Sequence, residues 1–213
     1  SEQRISAYID RSGADVWVSQ SGVRNLHMAA SALPSEAVAA VREVAGVATA
    51  TPILYLTNRV EIGDQRNLAY IIGLPPDAPA GRPWEVVEGR DLPARGEAIV
   101  DRFIAGQGGV GLGDPVAILG RRLNVVGLSE GTATITNSIA YIALEDFAEL
   151  RGGDGVSFVL VTVEAGASTE DVVAAIEATV PGVTAQTRQA FAAQERQVVR
   201  NMATDILAIM NAA

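Results

Sequence analysis

Apolar and polar residues alternate along Ala14-Asp15-Val16-Trp17-Val18-Ser19, the period of a half-buried strand. The first ten residues (SEQRISAYID) are polar and could continue a helix from upstream, which Ser12-Gly13 would stop. Residues 20–33 show no period and predict a long loop. Pro34-Ser35-Glu36 then opens a helix, because Pro suits the first turn and an acid suits the N-terminal dipole. Val38, Val41 and Ala45 give that helix an apolar stripe, and Gly46 marks its C′ end. Residues 47–62 are β-branched and strand-like. Gly63-Asp64 is a turn signal, and 68–74 (LAYIIGL) returns as the second arm of a hairpin.

After a Pro-rich loop or linker at 75–83 the pattern shortens. Strands are predicted at 98–100, 115–119, 123–128 and 138–143, with Gly120-Arg121-Arg122 joining the middle pair and a helix starting at Leu144. Longer elements then return. Residues 156–164 read as a strand. Ser168 caps a helix, with Asp171 three residues on and Val172, Ile176 and Val180 as its stripe. Pro181-Gly182 breaks it before a strand at 183–187. SEAVAAVREVAGVATATP at 35–52 parallels TEDVVAAIEATVPGVTAQT at 169–187, and each belongs to a strand-helix-strand half. Two such halves make a ferredoxin-like sheet with helices on one face. The predicted class is therefore α+β. A βαβ subdomain (1–87 plus 146–213) would carry an inserted β-rich subdomain (88–145), with helices at the two ends.

The last helix, 188–211, has no breaker. Phe191, Val198, Met202, Ile206 and Met210 recur near every fourth residue, flanked by Val199 and Ile209. Arg188, Glu195, Arg196, Arg200 and Asp205 are assigned to the opposite face. Such a helix either packs on its own sheet or forms a stalk leading to a membrane span.

Composition narrows the chemistry. All 16 basic residues are Arg, Cys is absent, and His27 is the single histidine. No lysine means no ordinary phosphate-binding P-loop and no Schiff base. No cysteine excludes thiol catalysis, disulfides and thiolate metal sites. A net charge of −9 disfavours nucleic acid and anionic lipid surfaces. No run of about 18 apolar residues would span a membrane. A chain starting at Ser1 without a signal peptide reads as a piece cut from a longer protein.

Candidate motifs are sparse. Gly109, Gly111 and Gly113 lack the following helix that a phosphate cradle needs, so they read as a turn launching a strand. Acidic residues fall on turns and helix starts, with no pair singled out for acid–base work. No Ser sits in a G-x-S-x-G elbow. Arg121 and Arg122, at the expected hairpin tip, are candidate docking residues beside the plainer reading of solvated turn residues. Leu26, His27 and Met28 are candidates as apolar and polar tips of the 20–33 loop.

The stretch 84–130 carries a resemblance. Glu88-Gly89-Arg90, a strand at Ala98–Val100, Gly111–Gly113 with Asp114, and Val125-Val126-Gly127 follow in order. IALEDFAEL at 142–150 and the strand-helix half from Val156 flank them. This order resembles the extracytoplasmic core domain of MacB-type ABC transporter permeases, the superfamily of MacB, FtsX, LolC, LolE and DevC-like exporters, over about residues 14–190. The resemblance implies a non-catalytic domain, periplasmic or extracellular, of a permease in the inner or plasma membrane. No cofactor is implied here, since ATP would be bound by a separate ATPase subunit or domain. Implied partners are that ATPase, a second permease copy or paralogue, a periplasmic adaptor or lipoprotein, and the membrane through flanking spans. Val198, Val199, Met202 and Ile206 would lie on the stalk that couples motion. The alternative is a stand-alone extracytoplasmic binding or scaffold module of the same fold.

Overall fold

A computed structural model of the chain describes residues 3–26, 30–134 and 137–211, with side chains for all of these except 3, 4 and 206–211. The N-terminal segment is a helix as expected, α1 (Gln3–Arg11), followed by β1 (Val16–Gln20) and α2 (Ser35–Arg42). Gly46 is not the C′ residue of α2. The helix stops at Glu43, and Gly46 (φ 87°) turns the chain one step before the next strand. An added Cβ there would lie 2.7 Å from Val172 Cγ2, so the site also needs its lack of a side chain.

The long hairpin forms as predicted from β2 (Val47–Ile62) and β3 (Gln65–Leu74). The Pro-rich loop after it is docked rather than free. Ala78 and Ala80 are buried, Gly81 N–H donates to Ser12 O at 2.7 Å, and Tyr8 Oη donates to Gly81 O at 3.0 Å. Next come β4 (Val86–Gly89), β5 (Glu97–Asp101), α3 (Arg102–Gln107), β6 (Pro115–Ile118), β7 (Arg121–Ser129), β8 (Asn137–Ala143) and α4 (Leu144–Arg151). Asp101 caps α3 through Phe103 N–H and also accepts from Thr132 N–H and Oγ1, which fastens the 129–132 turn. The second half then runs β9 (Phe158–Val163), α5 (Thr169–Thr179), β10 (Val183–Thr187) and α6 (Arg188–Asn211). Ser168 caps α5 by accepting from Asp171 N–H.

The strands join in one sheet of order β10-β1-β9-β2-β3-β8-β5-β7-β4, with β6 bridging β2 and β7. The first four strands, all antiparallel, have the ferredoxin-like order formed by two βαβ halves. The remaining strands enter between β2 and β9, so the hairpin β2-β3 carries the sheet from one half of the molecule to the other.

Alternation along the strands divides the core. Val16 and Val18 point to a cluster with α2 and α5, through Val38, Val41, Val172 and Ile176. Trp17 points the other way, to Ile5, Tyr8 and Phe191 of α1 and α6. Helices therefore cover both faces of the ferredoxin-like sheet, not one, because the terminal helices also pack on it. Leu54, Val60, Ile62, Ala69 and Ile71 of the hairpin belong to a third cluster with α3, α4 and the shorter strands.

Candidate docking and coupling site

The buried part of α6 starts directly at β10, with no loop between Thr187 and Arg188. Phe191 and Ala192 are buried to zero exposure, and so is Glu195. Glu195 Oε2 accepts Leu26 N–H at 2.8 Å, holding the 20–26 loop against the helix. This corrects the placement of Glu195 on the solvent face. The spacing 191-195-198-202 runs along the apolar stripe, so an acid on that stripe was the available signal. Leu26 is likewise not an exposed tip; its side chain is 7 % exposed and belongs to the core beside Trp17 and Phe191. His27 and Met28 lie outside the described residues.

Beyond Glu195 the helix parts from the sheet. Val198 and Val199 are half-buried, and Met202 is 39 % exposed. Ile206 lies on α6, its side chain outside the described residues. Helix α1 runs antiparallel beside it. Arg188 meets Ala14 O and Asp15 O, and farther along Arg196 pairs with Asp10 at 2.9 Å. The free ends of both helices therefore point the same way from the sheet.

Arg121 and Arg122 are not the tip of their hairpin. Leu119 (φ 54°) and Gly120 (φ 76°) make the turn, and the two arginines begin β7 on opposite faces. Arg121 Nη1 lies 3.2 Å from Asp146 Oδ1 and 2.8 Å from Glu149 Oε2. Arg95 also pairs with Glu149. The Asp146 side chain is fully buried; its Oδ2 accepts Gly96 N–H at 2.6 Å, while Oδ1 faces Arg121 as a charge without an aligned hydrogen bond. The Glu149 hydrogen bond, then the Asp146 charge, push Arg121 further up. The Arg121 hydrogen bond in turn holds the Glu149 carboxyl below the usual range. A lowered carboxyl stabilises the fold above its unfolded value and loses that contribution as pH falls through its folded value. The clamp therefore weakens only in acid. Arg122 is exposed, with no acidic partner among the described residues.

Arg121→Ala is expected to destabilise the chain by about 1–3 kcal/mol, because it removes the nearer of the two guanidinium groups facing buried Asp146 and leaves only Arg95, at 4.0 Å. Arg122→Ala should stay within about 0.5 kcal/mol. Urea unfolding of the two variants checks this, and equal losses would contradict it.

One cleft of about 720 Å³ lies between these features. Leu26 and Phe158 line it on the α6 side, Phe147 and Leu150 on the α4 side, and residues 55–59 of β2 form its floor. Among the described residues, no group of His, Asp and Glu could hold a metal ion, and no helix is long and apolar enough to cross a membrane.

The comparisons with known proteins agree with this architecture. The periplasmic region of MacB from Actinobacillus actinomycetemcomitans superposes with a TM-score of 0.63 at 12 % identity, covering 93 % of this chain and 98 % of that one. The extracellular domain of the noncanonic ABC-type transporter YknZ from Gram-positive bacteria gives 0.62 at 14 % identity, covering 82 % of this chain and 100 % of that one. At these identities the likeness is one of fold. None of the curated proteins matches the sequence significantly. Residues 1–179 match the family described as MacB-like periplasmic core domain. The chain therefore belongs to the MacB-like periplasmic core domain family, the periplasmic or extracellular portion of ABC transporter permeases.

Proposed function

We propose that this domain is a non-catalytic coupling and docking element of its permease, moved through α6 and α1 when a separate ATPase subunit or domain binds and hydrolyses ATP. The parent would sit in the inner or plasma membrane, with spans continuing the two helices and a second permease copy or paralogue beside it. A periplasmic adaptor or lipoprotein would be the partner docked on the domain.

The observation that carries this reading is the rooting of α6. Its first two turns are rooted on the sheet by Phe191, Ala192 and Glu195, Val198 and Val199 are half-buried, and the side chains from Arg200 to Asp205 are exposed. A helix anchored at one end transmits displacement, because its backbone hydrogen bonds resist bending. Arg196–Asp10 ties the second helix to it, so the pair moves as one strut.

Val199→Pro breaks the strut just past its root. Proline in a helix interior removes a hydrogen bond and costs about 3 kcal/mol locally. The packed turns before it stay intact, so the domain should keep its melting temperature within a few degrees. Transport by the parent permease should fall at least tenfold, with ATPase activity no longer responding to the docked partner. Normal transport by a folded Val199→Pro permease would sink the mechanical reading.

A further inference from the structure

The sheet has a gap along one strand, and we infer that the gap is a docking edge for an extended peptide with alternating apolar residues and an acidic end. On its outer edge, β2 pairs with β9 only as far as Ile53↔Phe158, and with β6 only from Val60↔Ile118. Residues 54–59 face neither strand, although their other edge is fully paired with β3. This six-residue edge, without a strand partner among the described residues, spans about 20 Å at 3.4 Å per residue.

The odd residues turn their backbone groups toward the gap. Ile53 O accepts Ser157 N–H at 2.8 Å, and Tyr55 N–H donates to Ser157 Oγ at 3.0 Å. By the two-residue period of a strand, Thr57 N–H and C=O point the same way, where neither β9 nor β6 reaches them. Arg59 N–H, the next on this side, donates to Asn58 Oδ1 at 2.7 Å, so Thr57 supplies the donor and acceptor at the centre of the gap that another backbone would pair, which is the basis of strand addition.

The walls specify side chains. On one face of the added strand lie Tyr55 and Phe158; on the other lie Leu56, which is 41 % exposed, and Leu150, which is 40 % exposed. Two large exposed aliphatics beside a strand edge are what alternate apolar residues of a peptide would cover. Arg59 and Arg151 also line the cleft, and neither has an acidic partner among the described residues. Arginines without an acidic partner among the described residues occur elsewhere on the chain, Arg122 among them, but here two such guanidinium groups line one cleft, and together they favour a carboxylate there. The inference rests on the docking part of the proposed function and names the form of the partner.

Selecting a random twelve-residue phage-displayed peptide library on the 213-residue chain tests it. Enriched synthetic peptides should alternate apolar residues and carry Asp or Glu near one end. Fluorescence anisotropy should show at least tenfold weaker binding to Thr57→Pro, which removes an N–H from the gap side only, and to Arg59→Gln/Arg151→Gln. Methylating alternate peptide nitrogens should weaken binding equally, and Arg200→Gln should change nothing. The double arginine variant keeps the test valid if Thr57→Pro fails to fold. The inference is overturned if no peptide is enriched, or if the enriched peptides bind these variants as they bind the parent chain. Binding of dodecanoate but not peptides, lost in the double arginine variant, would instead assign the cleft to an amphiphile. Because no transport is measured, failure here leaves the strut reading standing, and failure of Val199→Pro leaves this one standing.

Discussion

Trp17→Ala is expected to lower the unfolding free energy by about 3–5 kcal/mol, the range for emptying a large aromatic site in a core. Trp17 is 1 % exposed and joins three elements. Its ring stacks on Phe191 of α6 at 4.9 Å and 12°, meets Tyr8 of α1 edge-on at 6.0 Å, and meets Phe158 of β9 at 5.7 Å. With only 5 % aromatic residues in the chain, this cluster is the main aromatic contact of both terminal helices with the sheet. The cavity cannot close easily, since its walls are a sheet and two helices. Trp17→Phe should recover part of the loss by keeping a ring against Phe191. Chemical denaturation of both variants checks the order, and a loss below about 1 kcal/mol for the alanine variant would contradict it.

Gly127→Val should be nearly as damaging, at about 3 kcal/mol or more, for an opposite reason. A Cβ at Gly127 would sit 2.0 Å from Arg90 O, and one at Gly89 (φ 76°) would sit 2.1 Å from Val126 O. Backbone meets backbone there, so no side chain can move aside, and overpacking forces the strands apart. The approach follows from a bulge in β7. Ala98 pairs with Val125 but Ile99 pairs with Gly127, leaving Val126 extra, and its carbonyl accepts Arg90 N–H at 2.9 Å. The variant should release β4 and expose the Arg90 amide to hydrogen exchange. Gly106→Ala, where an added Cβ meets nothing within 4 Å, should be neutral or slightly stabilising. Equal stability of the two variants would refute the argument.

The same positions show what could be read from sequence. Glu88-Gly89-Arg90 and Val125-Val126-Gly127 stood out as an ordered motif, yet their mutual approach is long-range and has no local period. The hairpin and the paired βαβ halves were legible because their apolar spacing is set by which face is buried, whereas α1 was read only as a polar helix, and its buried stripe of Ile5, Tyr8 and Ile9 was not. Strand β4 was missed, since Val86–Gly89 is four residues long, follows prolines and has three exposed positions that give no alternation. The parallel pairing of β3 with β8 was also hidden, because nothing in either segment encodes its neighbour. At the candidate site, Leu26 was found but with the wrong exposure. Arg121 was found on the wrong side of its turn, because Leu119 accepts a positive φ where a Gly–Arg pair was expected to turn. Glu195 was legible in principle, as an acid on an apolar stripe. The cleft was not, since it is the place where two strands stop short of a third.

The hairpin β2-β3 also determines how the molecule comes apart. Ile53 belongs to the cluster under the terminal helices, and its neighbour Leu54 to the cluster of the shorter strands. One pair of strands thus serves as structural wall for two cores. Neither core can melt while the other keeps the hairpin in place without exposing half of its own lining. Heat and denaturant should therefore produce one cooperative step with a single m-value for the whole chain, and excising the inserted strands would yield an aggregating remnant rather than a smaller folded protein.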